Sequence, residues 1–373
     1  MNKKASRKVR YAVVGLGHIA QVAVLPAFAK ARNSELVALI SDDSAKLSKL
    51  AKVYGIDRLY SYDQYEESLA QGVDAVYIAL PNHMHRDFTV RALMAGVHVL
   101  CEKPMAISSE ECREMIEVAQ ETERKLMIAY RLHFEKANLE AVEIAGSGKL
   151  GDLRFFSSVF AQQVVPDNVR LTEPVEKGGG PVWDMGIYCI NAARYLFKSE
   201  PIEVLAASAS ARESRFRKAE EMTSVAMRFP KERLATFTAS FGAADIGRYT
   251  LVGTKGTLTA DPAYEYAEGL KLELKINDKS RKREFPKRDQ FAAELDYFSC
   301  CILNNKDPEP SGMEGLADVR VIEAIYESAK SGRQVKLPDF DRKKRPSKAQ
   351  EIRRAPHGKP ETINVESPSG DAA

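Results

Sequence analysis

The sequence predicts an α/β protein that begins with a doubly wound parallel sheet. Over the first 130 residues, short and nearly continuous apolar stretches alternate with amphipathic ones. Strands that are apolar on both sides are typical of a parallel sheet covered by helices on both faces. A glycine-rich turn directly after the first strand agrees with this class, because such sheets bind ligands at the carboxyl ends of their strands.

The composition is that of an ordinary enzyme long enough for two domains. The chain has 373 residues, 44% of them hydrophobic and 29% charged, and a formal net charge of +3. This small charge gives no general case for nucleic acid, and no apolar run is long enough to span a membrane, so we expect neither partner. Five cysteines without a CxxC or Cys/His spacing argue against a disulfide framework and a metal site. We expect a cytoplasmic protein, because the first strand follows the basic N-terminus without a signal-peptide core.

Alternating strands and helices are predicted along this first region. The strands are Val9–Val14, Leu36–Ile40, Ala75–Ala79, Val97–Cys101 and Leu126–Ala129. Helices are predicted at Ser44–Tyr54, Arg86–Ala95 and Ser109–Thr122. At the other end, residues 338–373 are rich in Lys, Arg, Pro, Ser and Glu, which predicts a basic, disordered tail. Such a basic run is either simply solvated or a contact for a partner.

The turn after the first strand reads Gly15-Leu16-Gly17-His18-Ile19-Ala20, a GxGxxA pattern. Gly15 permits the tight turn, and Gly17 lets the backbone approach a pyrophosphate at the start of a helix. The pattern is weak alone, but its place between the first strand and a helix indicates a dinucleotide site. The alternative is a tight turn in some other α/β protein.

The end of the second strand bears on the choice of cofactor. Ser41 and, one helical turn on, Lys46 are able to hold a 2′-phosphate, which favours NADP. Asp42 favours NAD, because an acid there accepts hydrogen bonds from ribose hydroxyls. Lys46 is otherwise a solvated helix charge.

Two further polar stretches follow strands of the predicted sheet. Leu80-Pro81-Asn82-His83-Met84-His85 follows one strand, and Glu102-Lys103-Pro104 follows the next. Lys103, between an apolar strand and a proline, is suited to polarise a substrate hydroxyl or carbonyl. Its alternative role is a strand-end charge paired with Glu102. His85 is able either to cap a helix or to touch the cofactor.

A second glycine-rich stretch, Gly178–Asn191, carries three polar side chains at helical spacing. Asp184, Tyr188 and Asn191 are four and three residues apart, which aligns them on one helix face. Because the residues that follow are mostly apolar, we expect the helix to be buried and its polar side to line a pocket. The alternative is an ordinary core helix with Asp184 as its N-cap.

Together, Gly15–Ala20, Glu102-Lys103-Pro104, Tyr130–Phe134 and Gly178–Asn191 resemble the Gfo/Idh/MocA family of glucose-fructose oxidoreductase, inositol dehydrogenase and their relatives. The similarity is nearest to the glucose-fructose oxidoreductase branch and spans about residues 8–337. It implies a Rossmann dinucleotide-binding domain over residues 1–130. It also implies a substrate-binding and oligomerisation domain over residues 131–337, with a large, mostly antiparallel open sheet.

Period-two stretches fit the sheet of that second domain. They are Leu153–Val159, Val204–Ala209, Ser224–Phe229, Leu234–Ser240, Tyr249–Val252 and Leu270–Ile276. Two late helices are expected at Asp289–Leu303 and Met313–Ser331, and the second is expected to pack back on the first domain.

The resemblance also implies residue roles. The catalytic lysine of the family falls on Lys103, its aspartate on Asp184 and its acid/base on Tyr188, and Asn191 stands at a substrate-contacting position. Substrate is thus expected to contact all four. The residues expected to bind the dinucleotide are Gly15, Gly17, His18, Ile19, Ser41, Lys46, Leu80, Pro81, Asn82, His85, Glu102, Lys103, Arg131 and Arg170.

These residue types indicate hydride transfer between a nicotinamide, with NADP favoured and NAD possible, and a sugar or polyol. A phenol is a weak base near neutral pH, so an adjacent ammonium at Lys103 is expected to activate Tyr188. The resemblance indicates an aldose oxidised at C1. Alternatives are a cyclitol, anhydro-sugar, dihydrodiol or sugar-nucleotide enzyme, or a non-catalytic NADP sensor. A homodimer or homotetramer through the second sheet is expected.

Overall fold

A six-stranded parallel sheet forms the first part of the protein. The computed structural model describes residues 7–166, 168–342, 344–365 and 367–368. Within them, this sheet consists of β1 (Val9–Val14), β2 (Ser34–Ile40), β3 (Leu59–Tyr60), β4 (Ala75–Ile78), β5 (His98–Cys101) and β6 (Leu126–Ile128). Its order is β3-β2-β1-β4-β5-β6, and all neighbouring strands are parallel. The predicted doubly wound sheet is confirmed.

The strand order reverses between β1 and β4, which leaves a crevice at the carboxyl ends of these strands. The chain leaves β1 at Gly15 and leaves β4 at Ala79. A Cβ added to Gly15, whose φ is +87°, would lie 2.5 Å from the Ala79 carbonyl oxygen. Only glycine allows the two turns to approach so closely.

Helices cover both faces of this sheet. After a π-helical turn at Ala20–Val24, those of the first part are α1 (Leu25–Ala27), α2 (Ser44–Tyr54), α3 (Tyr65–Ala70), α4 (His85–Met94) and α5 (Ser109–Glu121). The Asp43 carboxylate caps α2 by accepting a hydrogen bond from the Lys46 backbone. Helix α5 starts in the same way at Ser108. These caps explain why the predicted starts at residues 44 and 109 agree with the structure.

A nine-stranded, mostly antiparallel sheet forms the second part, as predicted. In the described residues its strands are β7 (Leu153–Ala161), β8 (Glu203–Ala209), β9 (Met222–Phe229), β10 (Arg233–Ser240), β11 (Ile246–Gly253), β12 (Gly256–Ala260), β13 (Leu270–Ile276), β14 (Lys279–Phe285) and β15 (Val335–Lys336). The order is β14-β13-β12-β11-β7-β10-β9-β8-β15, with one parallel pair, β7 with β10. The sequence did not predict β14, because its charged residues show no apolar alternation and six of its seven are exposed.

The helices of the second part are α6 (Lys136–Gly146), α7 (Val169–Thr172), α8 (Ile187–Phe197), α9 (Gln290–Leu303) and α10 (Gly312–Ser331). Of these, α6, α8 and α10 contact strands of the second sheet, whereas α9 contacts β1 and β2 of the first. Phe291 and Phe298 of α9 belong to one buried cluster with Tyr11 of β1. Gly315 of α10 lies against Met105, as expected for a late helix that returns to the first domain. None of the described helices is long and apolar enough to cross a membrane.

The segment from residue 338 differs from the prediction of a disordered tail. Its described residues run along both domains and form specific contacts. Arg342 binds Glu309 at 3.0 Å and also Glu314, while the Gln350 amide donates to Glu309 at 2.8 Å. The sequence suggested disorder because the segment has few large apolar residues. It is held instead by arginine and amide contacts to buried carboxylates on the body of the protein.

Candidate functional site

A lysine, a carboxylate and a phenol meet where the two domains face each other. Lys103 lies two residues beyond β5, and its Nζ donates to Asp184 Oδ1 at 2.9 Å and to the Asp184 carbonyl at 2.8 Å. The same Nζ lies 4.9 Å from the ring centroid of Tyr188. Arg170 Nη1 reaches the second carboxylate oxygen of Asp184 at 3.0 Å. The structure therefore brings Lys103 and Arg170, which are distant in the sequence, to Asp184 and Tyr188.

The charges of this group stabilise one another. Burial would raise the pKa of the Asp184 carboxyl, but the Arg170 and Lys103 cations outweigh it and lower that pKa to about 2. Burial would likewise lower the pKa of Lys103, but Asp184, with Tyr188 and Glu102, raises it above the usual lysine value. Near neutral pH the site thus holds an ammonium against a carboxylate.

Aromatic and cationic groups surround the Tyr188 ring. The Arg131 guanidinium lies 5.0 Å from its centroid, on a ring that Lys103 also approaches. The ring of Phe160 on β7 lies 5.6 Å away, and that of Tyr264 lies 5.9 Å away. Cations are attracted to the π-electron face of an aromatic ring, so Lys103 and Arg131 help to hold the Tyr188 ring in place. The flanking aromatic residues were not predicted, because only the sheet brings β7 beside α8.

A π-helical turn sets the direction of Asp184. Residues Val182–Gly186 form this turn, and α8 continues from Ile187. The turn presents Asp184 and Tyr188 to the same space. The alternative prediction, Asp184 as an N-cap, does not hold, because the helix has no side-chain cap and the carboxylate pairs with Lys103 and Arg170. At Gly186 an added Cβ would lie 3.1 Å from Phe237, so the turn packs tightly on the second sheet.

Asn191 differs from its predicted role as a substrate-binding residue. Its amide nitrogen donates to Glu314 and Asp318, both at 2.8 Å, and its oxygen lies 2.8 Å from His133 Nε2. The side chain is buried, and its donors and acceptor are engaged inside the protein. Asn191 therefore belongs to the buried polar network behind Tyr188. Helical spacing predicted correctly which face of the helix carries Asn191, but it did not predict that the side chain is buried.

The glycine turn has the space that a dinucleotide needs. A Cβ added to Gly17 would meet no atom within 4 Å, so its backbone borders open space. His18 follows at the start of the helix, and burial together with the Arg170 cation lowers its pKa. Ile19 packs on the buried cluster beneath the turn. Open space beside a glycine and backbone N–H groups at a helix start fit a pyrophosphate.

Ser41 and Lys46 border the end of β2. The Ser41 hydroxyl accepts a hydrogen bond from the Asp43 backbone at 3.2 Å, and Lys46 Nζ lies 3.5 Å from the Asp43 carboxylate. Asp42 Oδ1 accepts from the Tyr62 backbone at 2.8 Å. One carboxylate oxygen of Asp42, the residue that favours NAD, is thus already hydrogen-bonded within the protein.

The loop after β4 links the domains, and it corrects one prediction. Asn82 Nδ2 donates to the Gly178 carbonyl at 2.7 Å, while Leu80 is buried and Pro81 is exposed. His85 is buried, and its ring nitrogens lie 2.9 Å from the Leu80 carbonyl and 2.8 Å from the Pro104 carbonyl. Its ring therefore fastens two loops of the crevice together and is not open to a cofactor.

The side chains of Glu102 and Arg131, which were also predicted to contact the cofactor, are buried and bound by other residues of the protein. The Glu102 carboxylate accepts from the Tyr77 hydroxyl at 2.8 Å and from the Lys103 backbone at 3.2 Å. Arg131 donates to the Tyr264 carbonyl and to Gln290, both at 2.5 Å. Glu102 therefore binds the backbone of Lys103, and Arg131 lies against the ring of Tyr188. The sequence did not reveal their partners, which come from β4 and from the start of α9.

Comparison with known proteins agrees with this architecture. The family model for an oxidoreductase family with an NAD-binding Rossmann fold matches residues 9–130. The model for the GFO/IDH/MocA C-terminal domain matches residues 138–259.

Characterised relatives cover most of the chain. It is 30% identical to a D-xylose 1-dehydrogenase [NADP(+)] of Haloarcula marismortui, over 88% of this chain and 93% of the relative. It is 26% identical to a 1,5-anhydro-D-fructose reductase of Ensifer adhaerens, over 88% of this chain and 98% of the relative. The crystal structure of an aldose-aldose oxidoreductase from Caulobacter crescentus, complexed with glycerol, superposes with a TM-score of 0.84 at 38% identity. That match covers 89% of this chain and 100% of the other.

Proposed function

This chain belongs to the Gfo/Idh/MocA family of oxidoreductases, which confirms the resemblance drawn from its motifs, and we propose that it transfers a hydride between NADP and C1 of an aldose. The observation that carries the proposal is the contact of Lys103 with Asp184 and Tyr188 at the mouth of the dinucleotide crevice. These groups provide an acid/base, a cation and a counter-charge within one small space.

Each residue has a separate task in the proposed reaction. The nicotinamide ring, when bound, accepts the hydride or returns it. Tyr188 takes the proton of the sugar hydroxyl as the carbon is oxidised, and donates it in the reverse direction. Lys103 stabilises the negative charge that develops on the phenol and on the reacting oxygen. Asp184 holds the Lys103 ammonium in place at 2.9 Å, and Arg170 holds the other side of the carboxylate.

The proposed preference for NADP rests on the end of β2. Lys46 stands one helical turn beyond Ser41, and 18% of its side chain is exposed. Its ammonium lies 3.5 Å from the Asp43 carboxylate at the same strand end, within reach of a 2′-phosphate there. The engagement of Asp42 with the Tyr62 backbone also disfavours a contact with ribose hydroxyls. The H. marismortui relative, named for NADP(+), supports the same choice.

The proposed substrate follows from the polar character of the site and from the relatives. Charged groups at Lys103, Asp184 and Arg170 suit a polyhydroxylated molecule, whose hydroxyls both donate and accept hydrogen bonds. The two relatives of highest identity reported above are named for D-xylose and for aldoses. A reductase acting on an anhydro-sugar ketone is the second candidate, favoured by the E. adhaerens relative. A non-catalytic sensor is disfavoured, because such a protein has no need of the Lys103, Asp184 and Tyr188 cluster.

We also propose that the protein forms a homo-oligomer through the outer face of the second sheet. Phe155, Leu205 and Leu234 lie on that face with 47%, 48% and 49% of their surface exposed. Leu234 and Phe155 are direct neighbours on paired strands. Large apolar side chains grouped on an open sheet are typical of a protein interface.

The test is nicotinamide absorbance after mixing the protein with NADP⁺ or NAD⁺ and a panel of aldoses, polyols and cyclitols. NADPH with carbonyl sugars tests the reverse direction. Lys103→Met and Tyr188→Phe should each lower turnover by about 10²-fold or more while cofactor binding is retained. Lys149→Met, an exposed lysine, is the matched control. Normal turnover in both site variants would contradict the proposed mechanism, and a reaction limited to anhydro-sugar ketones would select the second candidate.

A further inference from the structure

The described residues of the C-terminal segment, 338–342, 344–365 and 367–368, make specific contacts across both domains. In its first half, arginines pair with carboxylates on the body of the protein. Arg345 binds Glu200 at 2.7 Å, and Arg354 binds Asp296, whose side chain is only 1% exposed. The Asp289 backbone donates to the Arg354 carbonyl at 3.2 Å. Buried charges that find their partners in this segment determine where it lies. The two family models end at residues 130 and 259, so neither of them covers it.

The second half of the segment reaches the glycine turn through Gln21. The Gln21 amide nitrogen donates to the Leu16 carbonyl at 2.9 Å and to the Ile363 carbonyl at 3.0 Å. Its oxygen accepts from the Ile363 backbone at 2.7 Å. Gln21 is 1% exposed, and Leu16 stands between the two glycines of the turn. One buried amide therefore joins the C-terminal segment to the backbone that borders the dinucleotide space.

Beyond Ile363 the segment crosses to the second domain. The Pro368 carbonyl accepts a hydrogen bond from the Val165 backbone at 2.9 Å. Val165 precedes Arg170, which pairs with Asp184 and lies close enough to His18 to lower the pKa of that histidine beyond the effect of burial. The segment thus connects the glycine turn with the chain that carries Arg170, on the side of the crevice where the domains meet.

We propose that residues 359–365 and 367–368 are a third element of the dinucleotide site, which positions the glycine turn through Gln21 and retains the bound cofactor. This inference rests on the proposed binding of NADP. Separation of the domains at this edge requires the Gln21–Ile363 and Val165–Pro368 hydrogen bonds to break, so the segment slows the opening through which the dinucleotide leaves. Gln21 is a positioning residue here, because it holds the turn and its side chain is closed to the ligand.

The experiment compares the full chain with a variant that ends after Gly358. This cut removes the Ile363 and Pro368 contacts and keeps Arg345 and Arg354, whose loss would take an arginine partner away from the buried Glu200 and Asp296 carboxylates. The dissociation rate of NADPH is measured from its fluorescence after an excess of NADP⁺ is added. We expect the rate to rise by about 10-fold or more in the shortened chain. The KM for NADP should rise, while kcat at saturating NADP should stay within about threefold.

A point variant covers the case in which the shortened chain is unstable. Ile363→Pro removes the N–H that donates to Gln21 and keeps the chain length. Glu361→Ala, at an exposed position of the same segment, is the matched control. A faster release in Ile363→Pro and in the shortened chain, but not in Glu361→Ala, supports the proposal. Equal release rates in all four proteins would overturn it while leaving the proposed function intact. A full chain that binds no NADPH would overturn both.

Discussion

Replacing Asp184 by asparagine tests the charge balance of the site with almost no change in shape. Asp184 is the counter-charge of both Lys103 and Arg170. Those cations, working against burial, lower its pKa from a usual value of 3.8 to about 2. At ~1.36 kcal/mol per pH unit this lowering corresponds to about 2.5 kcal/mol. Because 24% of the side chain is exposed, solvent screening reduces the figure, and we take about 2 kcal/mol.

If these ~2 kcal/mol position Lys103 in the transition state, removing the Asp184 charge lowers kcat/KM about 30-fold. The assay is the initial rate of nicotinamide reduction with saturating NADP⁺ and the sugar that the substrate panel identifies. Glu176→Gln, an exposed acid in the same chain region, is the control for an acid-to-amide exchange. NADPH binding should change little, because the substitution removes no group that is expected to contact the dinucleotide. A kcat/KM for Asp184→Asn equal to that of Glu176→Gln would refute the reasoning.

The Asp184 carboxylate should also affect the stability of the protein at acidic pH. A group whose pKa is lower in the folded state contributes stability above its unfolded pKa, and loses this contribution as the pH falls through its folded pKa. For Asp184 this window runs from about 3.8 down to about 2. The free energy of unfolding of the parent protein should therefore fall more steeply over this range than that of Asp184→Asn. Equal slopes in urea titrations at several pH values would show that the ion pair is not formed.

Three further variants test the cofactor preference, the turn and the interface. Lys46→Ala should raise the KM for NADP about 10-fold and leave that for NAD unchanged in initial-rate assays; equal changes would argue against a 2′-phosphate contact. Gly15→Ala should lower the unfolding free energy by about 1 kcal/mol or more and weaken NADPH binding, because φ is +87° and the new Cβ would lie 2.5 Å from the Ala79 oxygen. Calorimetry and fluorescence titration would measure these effects, and unchanged values would contradict the close approach. Phe155→Asp combined with Leu234→Asp should convert the proposed oligomer to monomers in light scattering, and an unchanged mass would place the interface elsewhere.

Many strands of both sheets were predictable because their signals are local. A continuous apolar run marked β1 at Val9–Val14, and alternation marked β13 at Leu270–Ile276, both with the bounds that the structure has. Strands such as β12 and β14 were not predicted. Their residues are held by pairing with β13 on either side, which depends on the sheet and not on their own pattern.

The candidate site divides in the same way. Residue type and spacing identified Lys103, Asp184 and Tyr188, because a buried charge after a strand and a polar helix face are visible in the sequence. How deeply each of these side chains is buried was not visible in the sequence. Helical spacing alone does not distinguish Tyr188, which borders the open site, from Asn191, which is bound inside the protein by Glu314 and Asp318. That difference depends on α10, which lies more than a hundred residues further along the chain.

The sequence by itself determined the α/β class, the glycine turn and the chemical groups available for hydride transfer, because each follows from neighbouring residues and their periodicity. Only the tertiary structure decided which groups meet. It set Arg170 against Asp184, enclosed His85 between two carbonyls, and led the C-terminal segment to Gln21. Contacts of this kind join residues that are up to 342 positions apart, and no local pattern specifies them. They form because buried charges and amides must find partners once the apolar core has brought their elements together.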